Sequence, residues 1–263
     1  MSAATVLLSI DGGIARLTLN RPDRFNSFTV QMHQELSAAL EQLSRDKSVR
    51  VLILSGAGKA FCSGQDLNER RAVPGHPPAD LGESIDKRYR KLILTLRDFP
   101  VPVIAAVNGV ASGAGANLAL VCDLVVAARS ANFIQPFTRL GLMPDAGATW
   151  LLPRLVGPAR ARGMTLLAEP LSATTAEAWG LIWRCVDDAD LQTTVDAMAQ
   201  RLLSAAPLAL QATRQALWSS WNHTLEENFD VEASCQRGLG YSQDYAEGVA
   251  AFFSKRTPQF RGE

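Results

Sequence analysis

One carboxylate, Asp145, lies in a stretch that is otherwise made of apolar and small residues. The stretch LGLMPDAGATWLL covers residues 140–152 and contains no other charged side chain. An ionised carboxylate in a dry site costs free energy unless it is paired or used in chemistry. Burial raises the pKa of a carboxyl group and makes it a stronger general base. Alone, however, Pro144 followed by Asp145 is also typical of a turn capped by aspartate.

Two segments upstream of Asp145 contain small residues that let the backbone approach a ligand. GKAFCSGQDL (58–67) directly follows an apolar run at 51–54, so a sharp turn there would point a backbone N–H into a cleft. AVNGVASGAGANLAL (106–120) leads into a helix, whose first N–H groups favour negative charge. It matches neither a P-loop nor a dinucleotide-binding fingerprint. Taken singly, the first segment is more typical of an ordinary strand-to-loop turn. The second is equally compatible with close packing of a helix on a sheet and with ligand binding.

Strands and helices that would position these segments alternate in the first part of the chain. Apolar patterns predict a hairpin at 5–10 and 14–19, and further strands at 51–54, 103–107 and 123–128. Helical periods occur at 28–46 and 84–97, and helical patterns dominate after residue 155. The Pro- and Gly-rich residues 70–82 predict a loop. We therefore predict an α/β core over residues 1–200 and a helical C-terminal region over residues 201–263.

Composition excludes several classes of protein. Hydrophobic residues make up 47% of the 263 residues, enough for a substantial core. Lys plus Arg and Asp plus Glu are both 26, which disfavours a nucleic-acid or anionic-membrane partner. The four cysteines form no CxxC pair, which argues against a zinc site or a disulfide framework. With no secretory signal and no apolar run long enough to span a bilayer, we expect a soluble cytoplasmic protein.

Four segments of the chain resemble the crotonase, or enoyl-CoA hydratase/isomerase, superfamily. They are NRPDRFNSF (20–28) and the three stretches described above, at 58–67, 106–120 and 140–152. The resemblance extends from TLNRP near the start to AFFSKRTPQF near the end. Within the superfamily, FCSGQDLNER, LGLMPDAGATWLLPRLVG and AEAWGLIW are most similar to the isomerases of ring-epoxidised phenylacetyl-CoA. The resemblance implies a spiral of ββα units with a C-terminal helical trimerisation region, and hence a homotrimer or a dimer of trimers.

The family resemblance also implies roles for particular residues. Members bind the thioester oxygen of an acyl-CoA with two backbone N–H groups, which match Gln65 and Ala114 here. Hydratases of the family use two glutamates, at positions occupied here by Asn117 and Phe137. Asp145 matches the acid/base of the isomerases. The resemblance therefore implies a proton shuttle through a thioester enolate, with no metal and no cofactor, because coenzyme A is part of the substrate.

A wider set of residues is implied to contact the CoA moiety or the acyl group. These are Arg24, Phe25, Lys59, Ala60, Ser63, Gly64, Asp66, Leu67, Gly113, Asn117, Phe137, Leu140, Trp150, Phe252 and Lys255. Arg24 and Lys59 are equally compatible with solvated surface, and Asp66 with ordering its own loop. In relatives the late helix that carries Phe252 and Lys255 often covers the CoA site of a neighbouring subunit.

Three alternatives stay open at this point. The first two are a Δ3-Δ2-enoyl-CoA isomerase and an enoyl-CoA hydratase that act on another acyl chain. The third is a catalytically silent subunit that binds acyl-CoA. The role of Asn117 is also open, between a hydrogen bond to the substrate and a cap for helix groups.

Overall fold

The computed structural model describes residues 4–71, 75 and 79–263. The strands in this part of the chain are β1 (Val6–Asp11), β2 (Ile14–Leu19), β3 (Val51–Gly56), β4 (Ala60–Cys62), β5 (Val103–Val107), β6 (Val110–Ser112), β7 (Leu124–Ala128), β8 (Asn132–Ile134), β9 (Leu171–Ser172) and β10 (Arg184–Val186). The helices are α1 (Val30–Arg45), α2 (Leu81–Ser84), α3 (Arg90–Arg97), α4 (Ala114–Leu120), α5 (Ala148–Leu167), α6 (Ala173–Ala178), α7 (Leu191–Leu203), α8 (Pro207–Ser220), α9 (Leu225–Gly240) and α10 (Gln243–Ser254). A π-helical turn, Ile85–Tyr89, joins α2 to α3.

The larger sheet has the strand order β1-β2-β3-β5-β7-β10. β1 and β2 form an antiparallel hairpin in which Val6 lies opposite Leu19, which confirms the predicted hairpin. The other strands pair in parallel. The apolar runs of β3 and β5 are buried over residues 51–54 and 103–107, because helices and loops cover both faces of a parallel sheet.

The smaller sheet has the strand order β4-β6-β8-β9, and its first three strands are parallel. Each of these three strands follows a strand of the larger sheet along the chain, as the pairs β3–β4, β5–β6 and β7–β8. A helical segment then follows each pair. This repeat confirms the α/β spiral of ββα units. It also brings the carboxyl ends of three short strands to one edge.

Helices pack around these sheets with clear amphipathic faces. α1 begins at the cap Thr29, whose hydroxyl accepts the amide of Met32, and buries Leu36, Leu40 and Leu43. α7 packs on β3, β5 and β7. In the described part of the chain, no helix is long and apolar enough to cross a membrane.

The C-terminal helices α8, α9 and α10 pack in succession. Their attachment to the spiral includes a buried ion pair between Arg214 of α8 and Asp123, at 2.7 Å. Several large apolar side chains of this region are exposed, namely Leu217, Leu225, Phe229, Tyr241, Phe252 and Phe253. The predicted boundary between residues 200 and 201 falls inside α7 and stays a prediction.

Some predicted elements differ from the structure. The helix predicted after residue 155 begins at Ala148, because Pro153 and Pro158 are accommodated with a kink at Gly157. The short strands β4, β6, β9 and β10 and the helix α9 were not predicted. The loop predicted at 70–82 is shorter, since a 3₁₀ turn extends to Arg70 and α2 begins at Leu81. Within it, residues 72–74 and 76–78 lie outside the described residues.

Candidate active site

A cleft of about 440 Å³ lies where β4, β6 and β8 end. Its described lining is Ser63, Gly64, Gln65, Leu67, Arg70, Leu81, Ser84, Ile85, Tyr89, Gly113, Ala114, Pro136, Phe137, Leu140, Leu142 and Asp145. Residues predicted from three separate segments of the sequence therefore come together here. Asp145 is the one carboxylate among these lining residues.

Two main-chain amides of this cleft, those of Gln65 and Ala114, donate no hydrogen bond to any described residue. The amide of Ala114 is free because it is the first residue of α4, where intrahelical acceptors are absent. The two segments are adjacent, since a Cβ placed on Gly64 would lie 3.7 Å from the Ala114 nitrogen. Gly64 and Gly113 have φ angles of +90° and +54°, which L side chains rarely adopt. Two N–H groups without acceptors among the described residues therefore lie on neighbouring segments of the cleft lining.

Gly115 allows α4 to approach β4 closely enough to form this arrangement. A Cβ at residue 115 would lie 2.3 Å from the carbonyl oxygen of Cys62, well inside van der Waals contact. That oxygen belongs to the backbone and has little freedom to move. Packing therefore requires glycine at position 115. Its lack of a side chain lets the start of α4 lie against β4, the strand that leads to Gln65.

The segment 25–28 fixes the loop that carries the first amide. The amide of Ser63 donates to the carbonyl of Phe25, the amide of Phe28 to that of Gly64, and the amide of Asp66 to that of Phe28. These bonds, at 2.7–2.9 Å, continue a short parallel pairing between Phe28 and Gln65. The loop is thus held on one side by strand-like hydrogen bonds.

Asp145 lies in the turn between the 3₁₀ segment Pro136–Leu140 and α5, with a half-buried side chain. Burial raises the pKa of Asp145 to about 6, while its own backbone amide and the positive charge of Arg70 act in the opposite direction. Its Oδ1 atom is buried and accepts no hydrogen bond from the described residues. One carboxylate oxygen is therefore buried without a donor, and Asp145 forms no ion pair with the described residues, which suits a general base.

Asn117 holds the Asp145 turn in place. Its Nδ2 donates to the main-chain carbonyl of Asp145 at 3.0 Å, and its Oδ1 accepts from Nε2 of Gln135 at 2.8 Å. Asn117 and Gln135 are both fully buried. In this chain Asn117 therefore binds protein groups and is absent from the lining of the cleft, and its contact with the substrate stays a prediction.

Apolar side chains form most of the remaining wall. Phe137 is buried, and its ring lies 3.5 Å from the position that a Cβ on Gly113 would take. Leu140 and Leu142 are partly exposed at the rim. These apolar side chains lower the polarity of the cleft around Asp145.

The other predicted contact residues near the chain start lie outside the lining of the cleft. Arg24 ends a short 3₁₀ turn, Phe25 is 56% exposed, and Lys59 is exposed at the start of β4, whereas Ala60 is buried. They lie on the two segments that flank Ser63, so contact with an extended part of a substrate stays a prediction. Asp66 pairs with Arg21 at 2.9 Å, and its other oxygen accepts the amide of Asn68.

Trp150 is absent from the lining of the cleft. It stacks on Trp218 with ring centres 5.7 Å apart, contacts Trp221 at 4.8 Å, and lies under the guanidinium of Arg154. The first turn of α5 directs this side chain toward α8, so its contact with the substrate stays a prediction. Sequence spacing alone does not reveal that direction.

Phe252 and Lys255 lie at the end of α10, outside the lining of the cleft. Phe252 is 78% exposed and borders an apolar groove between the C-terminal helices. In one chain, therefore, these two residues do not meet the cleft. The prediction that they cover the site of a neighbouring subunit stays untested.

Sequence reasoning missed several residues that line the cleft. Tyr89, Ile85 and Ser84 come from the π-helical turn and the residue before it, and Arg70 from the 3₁₀ turn after Gln65. The four-residue spacing of Ile85 and Tyr89 places them on one helix face, which was the available signal. Among the described residues, no group of three or more His, Cys, Asp or Glu side chains is arranged to hold a metal ion.

Comparison with known proteins identifies the class to which this fold and cleft belong. The enoyl-CoA hydratase/isomerase family model matches residues 9–263, so the chain belongs to that family and is an enzyme. It is 49% identical to 1,2-epoxyphenylacetyl-CoA isomerase of Escherichia coli K12, over 98% of each chain. It is 44% identical over the full length of both chains to a probable enoyl-CoA hydratase of Rhodobacter capsulatus. The solved enoyl-CoA hydratase of Bacillus anthracis superposes with a TM-score of 0.93 at 32% identity, covering 98% of this chain and 100% of that one.

Proposed function

We propose that this enzyme is an isomerase that converts ring-1,2-epoxyphenylacetyl-CoA to oxepin-CoA in aerobic phenylacetate catabolism. The observation that carries the proposal is a single unpaired carboxylate, Asp145, on a cleft with two free main-chain amides. The 49% identity to an isomerase of that name supports the choice of substrate. The apolar wall around Phe137 is compatible with an aromatic acyl group.

The reaction begins with removal of a proton from the carbon next to the thioester. The ionised carboxylate of Asp145 accepts that proton, and the C–H electron pair forms a C=C bond while the thioester oxygen becomes an enolate. The amides of Gln65 and Ala114 donate to this oxygen as its negative charge develops. Such donors are worth about 10²–10³ in rate each.

The second half of the reaction returns the proton. The bond between the two epoxide carbons opens as the ring expands to the seven-membered oxepin. The enolate pair then forms a double bond between the carbon next to the thioester and the ring, and a displaced ring π pair takes the proton from Asp145 at a ring carbon. The thioester carbonyl is restored, so no atom is gained or lost overall. Neither a metal nor a redox cofactor is required, because the thioester and the amides activate the substrate.

The hydratase alternative is disfavoured by the residues of the cleft. Addition of water in this family uses two glutamates, and the corresponding positions hold Asn117 and Phe137. Asn117 is engaged by Gln135 and the Asp145 turn, and Phe137 has no acid group. The same proton shuttle would move the double bond of a 3-enoyl-CoA to the 2-position, so we expect that as a side activity.

Product analysis tests the proposal directly. The enzyme is given ring-epoxidised phenylacetyl-CoA, generated in situ, and a straight-chain 3-enoyl-CoA in parallel reactions. We expect an oxepin product of unchanged mass from the first and a 2-enoyl product from the second. Turnover of the straight-chain substrate alone would refute the aromatic assignment. A product heavier by one water would establish hydration, and no turnover of either would support a silent binding subunit.

We also propose that the enzyme assembles as a homotrimer or a dimer of trimers. The exposed apolar side chains of the C-terminal region, including Phe229, Phe252 and Phe253, support self-association. Sedimentation equilibrium should give a mass that is a multiple of three chains. A monomer at micromolar concentration would contradict this.

A further inference from the structure

We infer that Tyr89 is a positioning residue, which keeps the amide of Gln65 directed into the cleft by holding the Gln65 side chain. The inference rests on the proposed function, because it takes the Gln65 amide as a donor to the enolate oxygen. It concerns the phenol hydroxyl, which lies outside the proton shuttle of Asp145.

The hydroxyl of Tyr89 donates to Oε1 of Gln65 at 2.9 Å. Arg70 Nη2 donates to the same oxygen at 3.2 Å. On the other side, Nε2 of Gln65 donates to the carbonyl of Phe28 at 3.1 Å and to a Glu69 oxygen at 3.3 Å. Both polar ends of the Gln65 side chain are thus occupied, while its main-chain amide has no acceptor. A residue anchored in this way has little freedom to rotate its amide away from the cleft.

The ring of Tyr89 is held rigidly enough to act as an anchor. Tyr89 is 3% exposed and packs edge-on against Phe28 at 5.6 Å and against His33 at 4.6 Å between ring centres. Phe28 and His33 are themselves stacked at 4.8 Å. Since Phe28 also accepts from Gln65, the aromatic cluster and the loop form one connected unit.

The phenol remains a hydrogen-bond donor throughout the working pH range. Burial, and after it the negative charge of Asp145, raises the pKa of Tyr89. Tyr89 and Asp145 both line the cleft. A competing role therefore has to be tested, in which the phenol acts on the Asp145 carboxylate.

Tyr89→Phe removes the hydroxyl and keeps the ring packing. The readout is exchange of the α-hydrogens of phenylacetyl-CoA in deuterated water, followed by NMR over a range of substrate concentrations. We expect the rate at saturation to fall about 5- to 50-fold, because misplacing a group that stabilises the enolate is costly, and half-saturation to change less than about twofold. The exposed Tyr241→Phe is the matched control and should behave as wild type.

A double-mutant cycle separates action through Gln65 from other roles. Gln65→Met keeps the main-chain amide but removes the acceptor of the phenol. In that background Tyr89→Phe should change the rate less than about twofold, since the two groups act as one unit. In the Gln65→Glu background the acceptor remains and the effect of Tyr89→Phe should return. If Gln65→Met folds poorly, Gln65→Leu, which also lacks the acceptor, takes its place in the cycle.

Three results would overturn the inference. They are a wild-type exchange rate in Tyr89→Phe, multiplicative effects in the Gln65→Met background, and a displaced acid limb of the pH profile in Tyr89→Phe. The last would indicate action on Asp145. Failure of the proposed function gives a different result, because the wild-type enzyme itself would then exchange no α-hydrogen.

Discussion

Asp145 has a carboxylate oxygen, Oδ1, that is buried and accepts no hydrogen bond from the described residues. This combination costs free energy when the group is ionised. Its pKa is raised to about 6, so the carboxylate is ionised at neutral pH but remains a stronger base than a solvated aspartate. Turn propensity alone would explain the aspartate after Pro144 as a residue that stabilises the turn. The structure adds what the sequence lacked, which is that the carboxylate oxygen is buried and unpaired.

The first prediction concerns pH. Only ionised Asp145 accepts a proton, so kcat/KM should be constant above pH 7 and fall tenfold per pH unit well below pH 6. A rate profile for 3-enoyl-CoA isomerisation between pH 3.5 and 8.5 measures this limb. An acid limb centred near pH 4, the value of a solvated aspartate, would show that the carboxylate is not desolvated in the working enzyme.

The second prediction concerns stability. The raised pKa means that the folded state binds a proton more tightly than the unfolded chain between about pH 4 and pH 6. Stability contributed by this group is therefore lost as pH rises through that window. Asp145→Asn removes the charge and should stabilise the fold at pH 7.5 by up to about 3 kcal/mol, from about 1.36 kcal/mol per pKa unit.

Urea unfolding at two pH values gives the comparison. The stabilisation by Asp145→Asn should disappear near pH 4, where the aspartate is protonated. Exposed Asp190→Asn provides a matched control and should change stability little at either pH. A destabilised Asp145→Asn at pH 7.5 would mean that the carboxylate is compensated in the native state.

At the scale of elements, three parallel strands of the smaller sheet direct their carboxyl ends to the cleft. β4 leads to Gln65, β6 to Ala114, and β8 to Phe137. α4 contributes its first amide, and its small residues allow it to pack against β4. The position of each donor thus follows from the sheet and the helix start.

The third prediction tests this close packing with two glycines in helices. Gly115→Ala brings a methyl group 2.3 Å from the Cys62 carbonyl, so we expect a loss of several kcal/mol in stability or failure to fold, and loss of activity. Gly163→Ala in α5 meets nothing within 4 Å and should stabilise by about 0.5–1 kcal/mol. Thermal unfolding of both variants makes the comparison. A neutral Gly115→Ala would show that α4 has room to shift away from β4.

Elements with a clear apolar or helical pattern were predictable, whereas short strands without such a pattern were not. The hairpin and β5 follow from apolar runs bounded by turn residues. β6 was hidden because Val110–Ser112 lies inside a Gly- and Ala-rich stretch with weak strand propensity. The backbone donors Gln65 and Ala114 came from family resemblance, since a free N–H has no signature in residue type. Tyr89 and the direction of the Trp150 side chain required tertiary contacts.

At the scale of the whole molecule, one buried ion pair ties the C-terminal helices to the spiral. Arg214 pairs with Asp123 at 2.7 Å and also donates to the main-chain carbonyl of Phe99. Burial raises the pKa of Asp123, while the charge of Arg214 opposes that shift. The amide of Val103 donates to the other carboxylate oxygen at 2.7 Å. A buried carboxylate in these surroundings depends on its cation.

The fourth prediction follows from that dependence. Arg214→Met should destabilise the protein by about 3–5 kcal/mol, because it leaves the Asp123 carboxylate buried without a cation. Arg45→Met removes an exposed pair with Glu41 and should cost less than about 1 kcal/mol. Urea unfolding at one fixed protein concentration keeps any self-association constant. Equal costs for the two variants would mean that the C-terminal helices do not rely on this pair.

The central claim, that Asp145 is the base that forms the enolate, has a direct test. α-Hydrogen exchange of phenylacetyl-CoA in deuterated water requires only the first proton transfer. We predict that Asp145→Asn lowers the exchange rate about 10²–10⁴-fold while phenylacetyl-CoA binding, measured by calorimetry, weakens less than about threefold. Exchange within about threefold of wild type by a variant that still binds the thioester would contradict the account.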